Sequence, residues 1–432
     1  MAVPGVETDQ VVQRFFLTLE KTQRQPAASI RRYQQHLLER LVRHAVKNVP
    51  FYRDTGRLAP LFGPSGAFRI DAWDEVPVLT RAEAHDNQAA LHADHVPAEM
   101  RPLQEDRTSG TTGTPLAIRR TALARVAAKA LLGRALTWHD RSEVGAIAVT
   151  STTGLYSSAV PTDAGSTHRA GSPFMVPVDI ALEDQLSMLR EGRPTHIIGY
   201  PNQILNWLHS DKRRAFENVR CVVTTGEVLQ PAAKDEIRSA LGATVIDAYS
   251  TSETGPIAFA GKTGGLRIAE ENIYLENDDG TTGLQPVTVT PFYSYGTPLI
   301  RYRPGDYVEN VRPGRGGTSG LRRFQKVVGR ERNLLVRRDG SRFWPNMAAK
   351  LMTQVLEYGD WQVVQHEAGS AEMSIVVTPE TPPEKLDELR AVLVREVFGD
   401  MDLTIRPVER LETGLNTGKS FQSVVSFVVA GD

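Results

Sequence analysis

The chain has 432 residues, too many for one ordinary hydrophobic core, so two or three domains are expected. Fifty basic residues against fifty-one acidic ones leave a net charge of −1, which excludes recruitment of nucleic acid or an anionic membrane by a global field. Thirty-five glycines and 26 prolines fall well short of the roughly 25–30% that marks low-complexity chains. The longest apolar runs, such as residues 424–430, are strand-sized and shorter than the about 20 residues a membrane helix needs. The first residues lack a basic start followed by an apolar core, so no signal peptide is expected. The single cysteine, Cys221, excludes an internal disulfide and a multi-cysteine zinc site. A soluble, cytoplasmic globular protein is the expectation.

In chain order, residues 30–48 repeat apolar positions at helical spacing amid dense charge and predict an amphipathic helix that Pro50 ends. Residues 121–138, rich in Ala and Leu, predict a helix. "VGAIAVTS" (144–151) and "THIIGY" (195–200) predict short buried strands, with a helix over "IALEDQLSMLREG" between them. From Val219 a strand over "VRCVVTT", a helix over "PAAKDEIRSALG" closed by Gly242, and a strand over "TVIDAY" follow in turn. That β-α-β order predicts a parallel sheet with crossover helices. "ENDDGTTG" and "RPGRGGTSG" carry turn chemistry. The last hundred residues predict a small α+β unit, with strands over "WQVVQHE", "MSIVVTP" and "LTIRPVE" and a helix over "PEKLDELRAVLVREVFG". The boundary is placed near residues 329–333.

The stretch "RTSGTTGTPLAIRR" (107–120) is dense in Gly, Ser, Thr and Pro. Placed between a strand and a helix, such a run can wrap backbone N–H groups around phosphate oxygens, aided by hydroxyl donors and by the helix N-terminus. A slack surface loop is the plain alternative. The pattern lacks the lysine of a P-loop after Gly113.

This loop resembles the phosphate-binding signature of adenylate-forming enzymes, the superfamily of acyl-CoA synthetases, adenylation domains and luciferases. Further motifs follow in that family's order: "DAYSTSETG" (247–255), "YRPGDYV" (302–308), the hinge-like "GRERN" (329–333) and "NTGKSFQSV" (416–424). "LVRHAVKNVPFYRD", "PVLTRAE" (77–83), "IIGYPNQIL" and the Ser-Glu ending of "DAYSTSE" are similar to the phenylacetate–CoA ligase branch. The resemblance implies an α/β fold with two parts. A large adenylate-forming domain (1–329), with mixed or parallel sheets and crossover helices, would bind ATP and acid. A small mobile α+β lid (330–432) would carry the catalytic lysine.

It also implies a chemistry. A small carboxylic acid, aromatic by analogy with the branch, would attack the α-phosphate of ATP and expel pyrophosphate, and the acyl-AMP would pass to coenzyme A. Thr108, Ser109, Gly110, Thr111, Thr112 and Gly113 would hold the departing pyrophosphate, and Glu253 would bind Mg²⁺. Tyr249 would stack on adenine, Asp247 would accept from its amino group, Ser252 would offer its hydroxyl to the α-phosphate, and Gly226 and Glu227 would line the other adenine face. Asp306 would accept the ribose hydroxyls, Arg330 would lie near ribose and phosphates, and Lys419 would stabilise charge developing on phosphate and carboxylate. Tyr200, Thr225, Thr153 and Phe174 are the acid-pocket candidates.

Three positions depart from the family pattern: Ser250 stands where glycine usually follows the tyrosine, Asn333 where the hinge has Asp or Lys, and Gln422 where arginine is frequent. His139, His168 and His196 have no metal-ligand spacing and read as structural. The alternatives are transfer to an amine or carrier protein, activation of a non-carboxylate oxyanion, and a degenerate nucleotide-binding protein. No nucleic-acid or membrane partner is expected, and the oligomeric state is left open, with a homodimer as one option.

Overall fold

A computed structural model describes the chain except residues 1–8, 108–115, 152–172, 211–213, 277–282, 315–318, 346, 348–350, 353, 357, 359–360, 410, 412–421 and 427–432. It divides into two compact units, Met1–Pro304 with Val308–Val327, and Gly305–Tyr307 with Val328–Asp432.

The first unit opens with α1 (Asp9–Thr22) and α2 (Ala27–Asn48). In α2, Ile30, Gln34, Leu37, Leu38, Leu41, Val42 and Ala45 form the buried stripe that three- and four-residue spacing demands, and the charged positions face outward. Val49 turns extended because a helical residue before proline would clash with the ring, and Pro50 then opens the short helix Pro50–Thr55. A further short helix, α3 (Arg81–Asp86), starts at Thr80, whose hydroxyl accepts the Glu83 N–H at 3.1 Å. The strand before it, Leu79–Thr80, pairs in parallel with Tyr302–Arg303, so "PVLTRAE" runs beside the start of "YRPGDYV".

The Gly/Ser/Thr stretch turns out to join two strands. β1 (Leu103–Arg107) and β2 (Ala117–Thr121) form an antiparallel hairpin in which Arg107 faces Ala117. Helix α4 (Ala122–Trp138) begins only after β2, its first turn capped by the Thr121 hydroxyl. The expected strand–loop–helix order is therefore corrected: a helix N-terminus does not follow the loop directly, and the α4 dipole acts a whole strand away.

The core of this unit is an eight-stranded mixed sheet. Its strands are β3 (Ile147–Ser151), β4 (Pro173–Pro177), β5 (His196–Gly199), β6 (Cys221–Thr224), β7 (Thr244–Thr251), β8 (Gly255–Ala260), β9 (Leu266–Ile268) and β10 (Arg323–Phe324). The spatial order is β10-β9-β8-β7-β6-β5-β3-β4. From β4 to β7 every pairing is parallel, and β8 to β10 continue it antiparallel. The crossovers are α5 (Leu182–Gly192), α6 (Pro201–Ser210) and α7 (Pro231–Leu241), the last closed by Gly242, whose N–H donates to Arg238 O.

Side chains alternate between two layers. Val149, Ile198, Val223 and Ile246 pack with α1 and α4 on one face. Ala148, Ile197, Val222 and Val245 pack with α5, α6 and α7 on the other. Covered on both faces, these strands read as continuous apolar runs, which is why β5 and β6 are plain in the sequence. In such a sheet ligands bind beyond the carboxyl ends of the parallel strands, near the point where strand order reverses, here at β3 between β4 and β5.

The second unit has its own core. β11 (Trp361–Glu367), β12 (Ser370–Val376), β13 (Asp402–Val408) and β14 (Gln422–Ser426) form a sheet of order β13-β12-β11-β14. Helix α8 (Pro383–Leu393) adds Leu389 and Leu393 to Trp361, Val363, Met373 and Ile375. It ends sooner than the sequence suggests, because Val394–Phe398 widens into a π turn.

Candidate active site

At the carboxyl end of the parallel strands, β7 outruns its neighbour: its pairing with β6 stops at Asp247, and the rest of the strand pairs with β8. Asp247 is thus the last residue of β7 in the parallel sheet, and Tyr249 and Ser250 are carried past its edge. Thr224 donates its hydroxyl to Asp247 Oδ1 at 3.1 Å. Burial nonetheless pushes the Asp247 carboxyl up to about 6, because the lost water outweighs the Thr224 hydroxyl, the charge of Lys234 and the Ala248 N–H that favour the charged form. Thr225 and Ser250 share a hydroxyl–hydroxyl hydrogen bond of 2.7 Å across the ends of β6 and β7.

Gly226 is required twice. Its φ is +80°, and a Cβ there would lie 2.7 Å from the ring of Tyr200. Tyr200 is buried, which raises its phenol to about 12. Glu227 accepts the Asn202 N–H at 3.3 Å, placing a carboxylate on the first turn of α6.

The β7–β8 turn carries the Ser-Glu pair. Thr251 Oγ1 accepts the Thr254 N–H at 3.1 Å, which folds the turn back on itself. Glu253 sits at its tip with 4% of its side chain exposed, and Arg81 Nη1 lies 2.9 Å from its Oε1. The angles do not make this a hydrogen bond: Oε1 accepts none among the described residues. The contact is charge against charge, and it leaves the oxygen's lone pairs open. A second arginine reaches the same turn from β2. Arg120 donates from Nη2 to Ser252 O at 2.6 Å and from Nε to Asp106 Oδ2 at 2.7 Å.

In the second unit, Asp306 is buried and pairs with Arg330 at 3.4 Å, while Trp344 donates from Nε1 to Arg330 O at 3.0 Å.

The predicted residues therefore fall into groups. Asp247, Tyr249, Ser252, Glu253, Thr225, Gly226, Glu227 and Tyr200 gather around the ends of β5, β6 and β7. Tyr249 is only 8% exposed and meets Phe324 edge-on within an apolar cluster, so most of its ring is already committed to the core. Phe174 is not brought to this edge and is corrected as an acid-pocket candidate. It is the second residue of β4, at the amino end of the strand, and a Cβ on Gly192 would lie 2.2 Å from its ring. Thr108 to Gly113, Thr153 and Lys419 lie outside the described residues, as does His168. His139 and His196 bond to the carbonyls of Ala260 and Arg141. The sequence reading missed Arg81 and Arg120. Arg81 lies inside the quoted "PVLTRAE", but nothing local indicates that it meets a glutamate far along the chain.

An open α/β sheet that gathers a buried carboxylate, two arginines and the positive-φ Gly226 at its carboxyl edge has the layout of an α/β enzyme's ligand site. A family model described as "AMP-binding enzyme" matches residues 70–291, 222 of the 432 residues, and the chain belongs to that family. Within the adenylate-forming superfamily it is phenylacetate–CoA ligase-like. It is 25% identical to a phenylacetate-coenzyme A ligase of Pseudomonas putida over 72% of this chain and 73% of that one. It is 22% identical to the Aromatoleum evansii enzyme of the same name over 89% and 90%. Among solved structures, 2-hydroxyisobutyryl-CoA ligase in the postadenylation state with 2-HIB-AMP shares its fold at a TM-score of 0.70, with 18% identity over 98% of this chain and 94% of that one. No helix among the described residues is long and apolar enough to cross a membrane.

Proposed function

We propose that this enzyme activates a small carboxylic acid with ATP and passes the acyl group to the thiol of coenzyme A. A carboxylate oxygen bonds to the α-phosphorus as the bond to the β-phosphate oxygen breaks, releasing pyrophosphate. The thiolate sulfur then attacks the acyl carbon and AMP leaves. The observation that carries this reading is Glu253, a buried carboxylate with an oxygen accepting no hydrogen bond among the described residues, within the family's aromatic-x-x-Ser-Glu turn.

Those open lone pairs suit a hard cation, and Glu253 would hold Mg²⁺. When bound, Mg²⁺ neutralises phosphate charge. The chain's own residues supply the rest. Asp247 accepts the adenine amino group while Thr224 orients it. Asp306, braced by Arg330, accepts the ribose hydroxyls. Ser252 and residues Thr108 to Gly113 donate to the phosphates. Lys419 brings its ammonium to the α-phosphate and carboxylate, where charge develops. Tyr200 and Thr225 border the acid, and the pocket accepts an aromatic or comparably small acid. Rotation of the smaller unit after adenylation would admit the thiol.

The test is product analysis. With ATP, Mg²⁺, coenzyme A and a panel of aromatic and aliphatic acids, mass spectrometry should find AMP and acyl thioester in equal amounts for the right acid. Formation of ADP, or AMP without dependence on any acid, would overturn the reading.

A further inference from the structure

Arg120, the last residue of the quoted stretch 107–120, ties the β1–β2 hairpin to the turn that carries Glu253. It stands on β2, the strand that follows the Gly/Ser/Thr stretch. Its Nε takes Asp106 on β1, the strand that precedes that stretch, and its Nη2 takes the carbonyl of Ser252, next to Glu253. Asp106 and Arg120 are both largely buried, with side chains 5% and 12% exposed. A Cβ on Gly255 would lie 3.3 Å from Arg120 Nη1, so the far end of the same turn also rests against the guanidinium.

Only arginine can do this. A planar fork with several donors at fixed angles reaches two acceptors on different segments at once, whereas an ammonium on a flexible stem serves one.

We propose that Arg120 is a positioning residue that sets the Glu253 carboxylate relative to the hairpin bearing the phosphate loop, so that metal and triphosphate are gripped as one unit. The proposal rests on the adenylation reading for its consequence, but not for its geometry. In this role Arg120 acts through Asp106 and the Ser252 carbonyl rather than as a ligand itself. Losing it keeps every ligand group on the chain but lets the turn, and Glu253 with it, drift against the hairpin. The effect falls on binding that needs metal and nucleotide together, since carboxylate and loop must then engage one ligand simultaneously.

Calorimetric titration with ATP, once with Mg²⁺ and once with EDTA, tests this on the full chain. The wild type should bind ATP more tightly with Mg²⁺. Arg120→Gln and Arg120→Lys should each lose about fivefold or more of that metal-dependent gain, with metal-free ATP binding held within about twofold. Arg120→Lys keeps the charge opposite Asp106 and should melt close to the wild type, which separates positioning from folding. Asp106→Asn, which removes only the brace, should lose less of the gain than either arginine variant. The proposal fails if Arg120→Lys keeps the full metal-dependent gain, if metal-bound and metal-free binding fall equally, or if the wild type shows no gain. A normal metal-dependent gain in a wild type that releases no pyrophosphate with any acid would sink the adenylation reading and leave the positioning role intact.

Discussion

Arg81 Nη1 and Glu253 Oε1 lie 2.9 Å apart, the arginine in the first turn of α3 and the glutamate at the tip of the β7–β8 turn. Glu253 is almost fully buried, whereas Arg81 keeps a third of its side chain in solvent. Such a pair adds little net stability, because desolvating the glutamate offsets its attraction to the arginine, but it costs much to break from one side, because removing the arginine strands a buried charge. Arg81→Met should therefore lower stability by about 1–2 kcal/mol, the partial exposure of Arg81 holding the cost below that of a fully buried pair. Adding Glu253→Gln should recover most of that loss. Urea denaturation of the two single variants and the double variant decides it, and additive losses would refute the coupling.

Glu253→Gln alone removes the charge that the metal needs and keeps the shape. Metal-dependent pyrophosphate release should fall by roughly a hundredfold or more, in line with the loss of a preorganised electrostatic group, while the melting temperature holds or rises. Retained release at saturating Mg²⁺ would remove Glu253 from the metal site.

The Asp247 carboxyl, held at about 6 by burial, makes stability depend on pH in a definite direction. Its folded value lies above the unfolded value of 3.8, so between them the folded chain keeps a proton that the unfolded chain has released. The associated stabilisation is complete below about pH 4 and is lost as pH rises through about 6. Asp247→Asn should accordingly be more stable than the wild type at pH 7, by no more than ~3 kcal/mol, with the difference vanishing near pH 4. Denaturation curves of both proteins across that range provide the check.

Ser250 ties its hydroxyl to that of Thr225 at 2.7 Å. The pair sets two hydroxyls at the ends of β6 and β7, where the proposed acid would lie. Ser250→Gly should widen the accepted acids toward bulkier aromatic ones, raising kcat/KM for those about tenfold against the smallest acids, the scale expected of one or two methylenes. An unchanged acid profile would place the pair outside the acid pocket.

At Gly226 any side chain meets both a positive φ and the Tyr200 ring. Gly226→Ala should cost about 1–3 kcal/mol. Combining it with Tyr200→Ala should recover less than the whole loss relative to Tyr200→Ala alone, because relieving the clash leaves the backbone strain. Thermal melts distinguish the two contributions.

Much of the scaffold is written locally. β5, β6 and α7 follow from apolar runs buried on both faces and from the proline and glycine that bound the helix. β4 escaped notice because "PFMVP" is bracketed by prolines and is held by its neighbour β3. The hairpin β1–β2 escaped because "LQEDR" and "AIRRT" look like charged loop, and the diagonal ion pair of Asp106 with Arg120 across the hairpin accounts for part of that charge. The site was legible where its residues cluster in one motif, as from Asp247 to Glu253. It was illegible where partners come from distant segments. Periodicity tells which face of an element is buried and not what it meets, so Arg81 and Arg120 could be found only in three dimensions. The same limit misplaced Phe174, since an aromatic residue in a strand carries no mark of which end faces the ligand.

The central claim is that an acid and ATP react here to an acyl-AMP before any thiol is present. Acid-dependent exchange of labelled pyrophosphate into ATP, run without coenzyme A beside Lys419→Ala and Glu253→Gln, tests it most directly. Exchange is expected with at least one small acid, abolished or nearly so in both variants. Binding of ATP with no exchange for any acid, or exchange undiminished in both variants, would contradict it.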